Sequence, residues 1–196
     1  FEVCSGPGKP PEPTKLGRGS RFRCLVCGGI ADSNHIRAEG KAGGMGQQLM
    51  ATVAEGPRGR TYVSPDERQS STGVAALPSW APTEPLGHDP RAIWCVGYGL
   101  DTFDKIFTLR QLVTLTTLCD LVVEARGRVL ADTQQSGLPD NEVSLEDGGK
   151  EARAYADALA TYLAFTVDRM ADRHSTLARW NPNAAGYAPK VETTFS

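Results

Sequence analysis

The sequence predicts an α+β fold, and three observations carry that prediction. Two long stretches in the second half repeat apolar residues at helical spacing. A shorter stretch before residue 65 alternates as paired strands across a glycine-containing loop, and a Cys-x-x-Cys turn precedes it. The expected layout is a knuckle, a Gly-rich basic segment and a β-hairpin over 1–65, then a connecting segment with a short strand over 66–106. A helical hairpin over 107–182 and a tail over 183–196 complete it. With 196 residues, 40% of them hydrophobic and 22% charged, the chain suits an ordinary globular protein with one substantial core or two small ones. No apolar run approaches the roughly 20 residues that span a bilayer, so no transmembrane helix is expected.

Residues 1–21 carry four Pro and four Gly and are expected as a loop or extended arm. The run RCLVCGG follows. Its tight turn can aim the Cys24 and Cys27 thiolates at one ion, and the glycine after the second Cys relieves backbone crowding there. Zinc takes four ligands, so this pair supplies half of a tetrahedral site. Cys4 and His35 are candidates for the remainder, although neither comes as a second spaced pair. A redox reading requires a helix starting at Cys24, and Gly28 with Gly29 argue against it. Half of a zinc ribbon and an unmetallated knuckle both stay open.

Asp32, Ser33 and Asn34 can cap a short helical turn expected to run through Ala38. Glycines at 40, 43, 44 and 46 are expected to break it. Beside Arg37 and Lys41 they can expose backbone N–H groups to an anion, or form a simple bend. The spacing is not that of a P-loop. QLMATVAE and GRTYVSP then flank GPRG as two strands, with Arg58 and Arg60 at the tip as phosphate contacts or as a solvated turn. Five prolines in 65–92 predict a long connection, packed by Trp80, Leu77 and Leu86, with His88-Asp89 as a turn. IWCVGYGL reads as a short apolar strand or extended segment.

The first helix is expected from Thr108, an N-cap with Gln111 completing a capping box. Leu112, Leu115, Cys119, Val122, Arg126 and Val129 form one stripe along it. A second helix is expected from Lys150 to Arg179. Ala152, Tyr155, Leu159, Tyr162, Leu163, Thr166, Val167 and Met170 make a broad apolar face suited to two neighbours. The short linker makes the two helices an antiparallel pair.

Net charge is −2, but residues 1–60 hold nine Lys/Arg against five Asp/Glu, while the rest holds twelve against eighteen. The basic third can face a nucleic-acid backbone, through Arg23, Arg37, Lys41, Arg58 and Arg60, or be ordinary surface scatter. Five cysteines with one close pair do not form a disulfide framework. Cys95 and Cys119 are expected in the core, and this usage fits a reducing cytoplasm. The opening FEVCSGPGKPPEP lacks a signal-peptide pattern. With no initiator Met and an abrupt end at TTFS, the chain is expected to be an excised piece.

Three ordered blocks carry a family resemblance: IRAEGKAGGMGQQLMATVAEGPRGRTYVSP, then YGLDTFDKIFTLRQLVTLTTLCDLVVEA, then AYADALATYLAFTVDRMADRHSTLARWNP. Together, from about Phe22 to Trp180, they resemble the zinc-ribbon-containing adenine-specific DNA methylases. In that family the blocks form an insertion between the cofactor-binding part and the catalytic tetrapeptide, and the first Cys pair of the ribbon lies upstream. The resemblance implies a piece of an S-adenosylmethionine-dependent DNA methyltransferase without its active site. Such an enzyme needs an Asp/Asn-Pro-Pro-aromatic tetrapeptide to hold a flipped adenine. The only Pro-Pro here is Pro10-Pro11, flanked by Lys9 and Glu12, and Asn181-Pro182-Asn183 lacks the second Pro and the aromatic. Gly97-Tyr98-Gly99 is too short for a methyl-donor loop. No catalytic residue is therefore expected. The piece is expected to engage DNA for target recognition beside the remaining methyltransferase domains. The alternative is a structural insertion or a homodimer module built on the helices, with no direct DNA contact.

Overall fold

Three short antiparallel strand pairs and two long helices build the α+β architecture. The computed structural model describes residues 2–4, 6–9, 11–57, 59–75, 77–87, 89, 91, 93–181, 190–192 and 194. The chain divides into two units: Phe1–Ala75 with Pro82–Lys105, and Ala76–Ala81 with Ile106–Ser196.

In the first unit, strands β1 (Phe22–Arg23) and β2 (Ile30–Ala31) pair antiparallel around the Cys-x-x-Cys turn. Asp32 then starts helix α1 (Ser33–Lys41), its carboxylate accepting the N–H groups of Asn34 and His35 at 3.0 and 2.9 Å. The helix runs past Ala38 and through Gly40, which the sequence suggested as a breaker. It ends in a Schellman motif instead. Gly43, at φ +73°, donates to Gly40 O, and Gly44 donates to Glu39 O.

Strands β3 (Thr52–Gly56) and β4 (Gly59–Val63) form the expected hairpin, with Gly56 opposite Gly59 across a two-residue loop. Pairing begins only at Thr52, so Leu49 and Ala51 lie outside it. The segment read as connection contains a helix, α2 (Glu67–Ala75). Its start is a capping box: Gln69 N–H donates to the Asp66 carboxylate at 2.6 Å, and the Asp66 N–H returns to Gln69 Oε1 at 3.2 Å. The expected strand at IWCVGYGL is a 3-10 helix, Trp94–Tyr98, closed by Gly99 at φ +85°. Two glycines within six residues favour this curled path over an extended one. Leu86 N–H to Asp101 O and Phe103 N–H to Glu84 O tie the segment after it to Glu84–Leu86.

In the second unit, helix α3 (Leu109–Gln135) starts from the predicted Thr108 capping box. Its stripe is buried at Leu112 and Leu115 and half-buried from Cys119 to Val129. Arg126 belongs on that stripe because its Nε reaches Asp157 Oδ1, at 2.6 Å, on helix α4 (Ala152–Ala171). The expected face of α4 is covered only in part, with Val167 and Met170 half-buried along it. Ala152, Ala154 and Ala156 are buried, whereas Tyr155 is 51%, Tyr162 72% and Leu163 43% exposed. Small side chains let the helix start seat closely, and the bulky residues face outward from this chain. Leu77 and Trp80 are likewise exposed rather than packed, with Trp80 Nε1 3.4 Å from an Asp120 oxygen.

Helix α4 stops at Ala171, short of Arg179. There the chain turns on Ser175, whose hydroxyl accepts the N–H of Leu177 and meets Thr194 Oγ1 at 2.6 Å. Thr176 donates both its N–H and its hydroxyl to the carbonyl of Ile106, the most deeply buried large side chain among the described residues. Strands β5 (Trp180–Asn181) and β6 (Lys190–Val191) then pair antiparallel, so part of the expected irregular tail is ordered. Pro182, Pro189 and His88 lie outside the described residues. No helix among the described residues is long and apolar enough to cross a membrane.

Candidate functional site

The knuckle is built as the Cys-x-x-Cys-Gly-Gly spacing suggests. Gly28 takes φ +71° and donates to Cys24 O at 3.0 Å, while Cys24 N–H donates to Gly29 O at 2.8 Å. This curl turns backbone N–H groups onto the first thiol, with Val26 N 3.4 Å from Cys24 Sγ. Hydrogen bonds from the Cys27 and Val26 backbone, with the Cys27 side chain adding to them, hold the Cys24 thiol below its ordinary pKa. A thiolate that already accepts amide protons is suited to a metal. The residues present fit one side of a tetrahedral thiolate site. Among the described residues no group of three His, Cys, Asp or Glu side chains comes together, so Cys4 and His35, both exposed, do not complete it.

The basic residues singled out by the sequence fall in different places. Arg23 leaves β1 beside the knuckle, in a hollow of about 320 Å³ shared with Glu12, Thr14, Cys24 and Leu25. Arg60, opposite Glu55 in the hairpin, lies 3.7 Å from its carboxylate. Arg58 lies outside the described residues. Arg37 and Lys41 are brought together, one helical turn apart on α1, where they line a cleft of about 520 Å³ with Ile93, Trp94, Val96 and Tyr98.

Two glycines make this cleft. A Cβ added at Gly40 would collide with the Tyr98 carbonyl, and one added at Gly99 would collide with the Gly40 carbonyl. The backbones of α1 and of the 3-10 helix therefore touch, which only residues without side chains permit. The close approach lays the Arg37 guanidinium over the Tyr98 ring, 5.4 Å from its centroid. Trp94 meets Tyr98 edge-to-face, with centroids 6.0 Å apart and planes at 89°. Tyr98 Oη and Ser20 Oγ lie 2.6 Å apart. That hydrogen bond, aided by the neighbouring Arg37 charge and opposed by burial, moves the phenol below its usual pKa. Tyr98 is thus engaged at ring and hydroxyl, while Trp94 remains 60% exposed.

Among the described residues neither Arg37 nor Lys41 has a carboxylate partner. Two cations without counter-ions beside an exposed indole can hold an anion attached to a planar group. The Gly-rich run contributes here through packing at Gly40 and a helix stop at Gly43, rather than as an open anion loop. Trp94, Tyr98 and Ser20 were absent from the sequence-derived site. The signal for the first two was an aromatic pair four residues apart, masked by reading IWCVGYGL as extended. Gly97-Tyr98-Gly99, curled into the end of a 3-10 helix, does not form the strand–turn–helix that cradles a methyl donor. Comparison with family models, characterised proteins and solved structures finds no match.

Proposed function

We propose that this chain is a non-catalytic accessory region of an S-adenosylmethionine-dependent adenine-specific DNA methyltransferase, and that it engages DNA. The family assignment rests on the three sequence blocks from Ile36 to Pro182. The DNA-engaging part rests on one observation: Arg37 and Lys41, without carboxylate partners among the described residues, share a cleft with an exposed tryptophan. Methyl donor and target adenine belong to the remaining domains of the enzyme, which are this region's first partners. Cys24 and Cys27 would hold one side of a zinc ion and need two further donors to close a ribbon. Such a zinc ion would fix the knuckle and supply no chemistry to the reaction. The exposed thiols of Cys4, Cys24 and Cys27 suit a reducing cytoplasm.

Binding to duplex DNA across a salt series tests this reading. The log–log slope is expected at about −3 or more negative, and Lys41→Glu is expected to weaken binding and flatten the slope by about 1. No binding of duplex or single-stranded DNA by the folded chain at low salt would refute the reading.

A second reading draws support from α4. Tyr155, Leu159, Tyr162, Leu163 and Phe165, all at least 36% exposed, put large apolar side chains on the surface of one helix. A structural insertion that dimerises through the helices, without touching DNA, accounts for it. Sedimentation that reports a dimer, together with an absence of DNA binding, would favour that alternative.

A further inference from the structure

The cleft between α1 and the 3-10 helix is more specific than a phosphate-binding patch requires. A protein that only neutralises a duplex backbone needs cations on a surface, and has no use for a solvent-facing indole beside them. Here the two ring systems have different duties. Tyr98 is fixed on one side by Ser20 and covered by the Arg37 guanidinium. Trp94 is held by an edge contact to Tyr98 and still presents most of its surface to solvent. Val96 and Ile93 add apolar wall, and Lys41 sits at the cationic side without a carboxylate partner among the described residues. The volume, about 520 Å³, is within the ordinary range for small-molecule sites of about 300–1,000 Å³.

The geometry points to a single-stranded DNA subsite in which one unstacked base lies on the Trp94 indole and its flanking phosphates rest on Arg37 and Lys41. This rests on the DNA-engaging reading above and adds the form of DNA that the cleft takes. Duplex bases are stacked on each other and cannot reach Trp94, whereas an unpaired base has a free face for the indole. The stacking contact is tolerant of base identity, so it holds a displaced strand rather than reading a sequence.

The test measures binding of three probes to the intact chain by fluorescence anisotropy and competition: an oligothymidylate strand, a duplex, and thymidine monophosphate. The strand is expected to bind and to lose affinity about 10-fold or more in Trp94→Ala. Trp94→Phe, which keeps a ring in place, is expected to retain most of that affinity, separating stacking from loss of fold. Lys41→Glu is expected to weaken strand binding and reduce its salt dependence. Unchanged strand affinity in Trp94→Ala, with duplex binding intact, overturns the subsite and leaves the DNA-engaging reading standing. Absence of binding to strand and duplex alike overturns both. Thymidine monophosphate binding as tightly as the strand overturns the strand subsite in favour of a free nucleotide.

Discussion

The contact of α1 with the Trp94–Tyr98 helix and the contact of α3 with α4 are made from similar parts and end differently. Both use residues with little or no side chain: Gly40 and Gly99 at the approach itself in one, Ala152, Ala154 and Ala156 at the start of α4 in the other. Both carry arginines. On the helical pair two arginines meet acids: Arg126 pairs with Asp157, and Arg153 lies 3.5 Å from Asp140. Those carboxylates also gather the connecting chain, Asp157 accepting Leu145 N–H at 3.0 Å and Asp140 accepting Glu142 N–H at 3.0 Å. At α1 the guanidinium lies on a ring, and neither Arg37 nor Lys41 has a carboxylate partner among the described residues. The same residue type closes an ion pair where acids surround it and lies over a ring where aromatics do.

Breaking the glycine contact is the strongest challenge to this comparison. Gly40→Val forces a side chain into the Tyr98 carbonyl and is expected to cost about 3 kcal/mol, read as a lower denaturation midpoint. It should also separate Arg37 from Tyr98. Asp157→Ala comes next, because it strips a partner from Arg126 and a hydrogen bond from Leu145. A loss of about 1–3 kcal/mol is expected in equilibrium unfolding. The acid limb sharpens the same point. Asp157 and Asp140 are held below the usual carboxylate pKa, first by the Leu145 and Glu142 amides and then, against burial, by the arginines. A depressed folded pKa gives stability that is present above the unfolded value near ~3.9 and is lost as pH falls through the folded one. Unfolding measured from neutral to acid pH should show that loss, and Asp157→Ala should reduce it. Thr108→Ala removes the capping box of α3 and is expected to cost about 1 kcal/mol in thermal unfolding. Tyr162→Glu, on the outward face of α4, is expected to change stability by less than about 0.5 kcal/mol. Any larger stabilisation lost with it, dependent on protein concentration, would mean that the face is covered by a second copy.

Long periodic signals were legible in the sequence. The Thr108 box, the α3 stripe, the knuckle turn and the β3–β4 hairpin all lie close to where local chemistry puts them. Short elements were harder. Helix α2 has a written start in Asp66 and Gln69, but the prolines around it favoured a loop. The outward face of α4 shows why periodicity alone falls short: it reports an apolar side without saying whether this chain covers it. Of the basic residues, Arg37 and Lys41 share a face because they are four apart, which the sequence states. That Trp94 stands beside them depends on the Gly40–Gly99 approach, a contact between residues 59 positions apart in sequence that no local pattern encodes.

The knuckle also divides the five cysteines by reactivity. Cys24 has its thiolate favoured by the surrounding amides and is exposed, whereas burial pushes the Cys119 thiol up and Cys95 is closed off at 5% exposure. Alkylation at neutral pH follows thiolate fraction and access, so iodoacetamide should mark Cys24 well before Cys119, and Cys95 only on unfolding. The knuckle thus offers, nine residues before α1, an attachment point for a dye or a cross-linker.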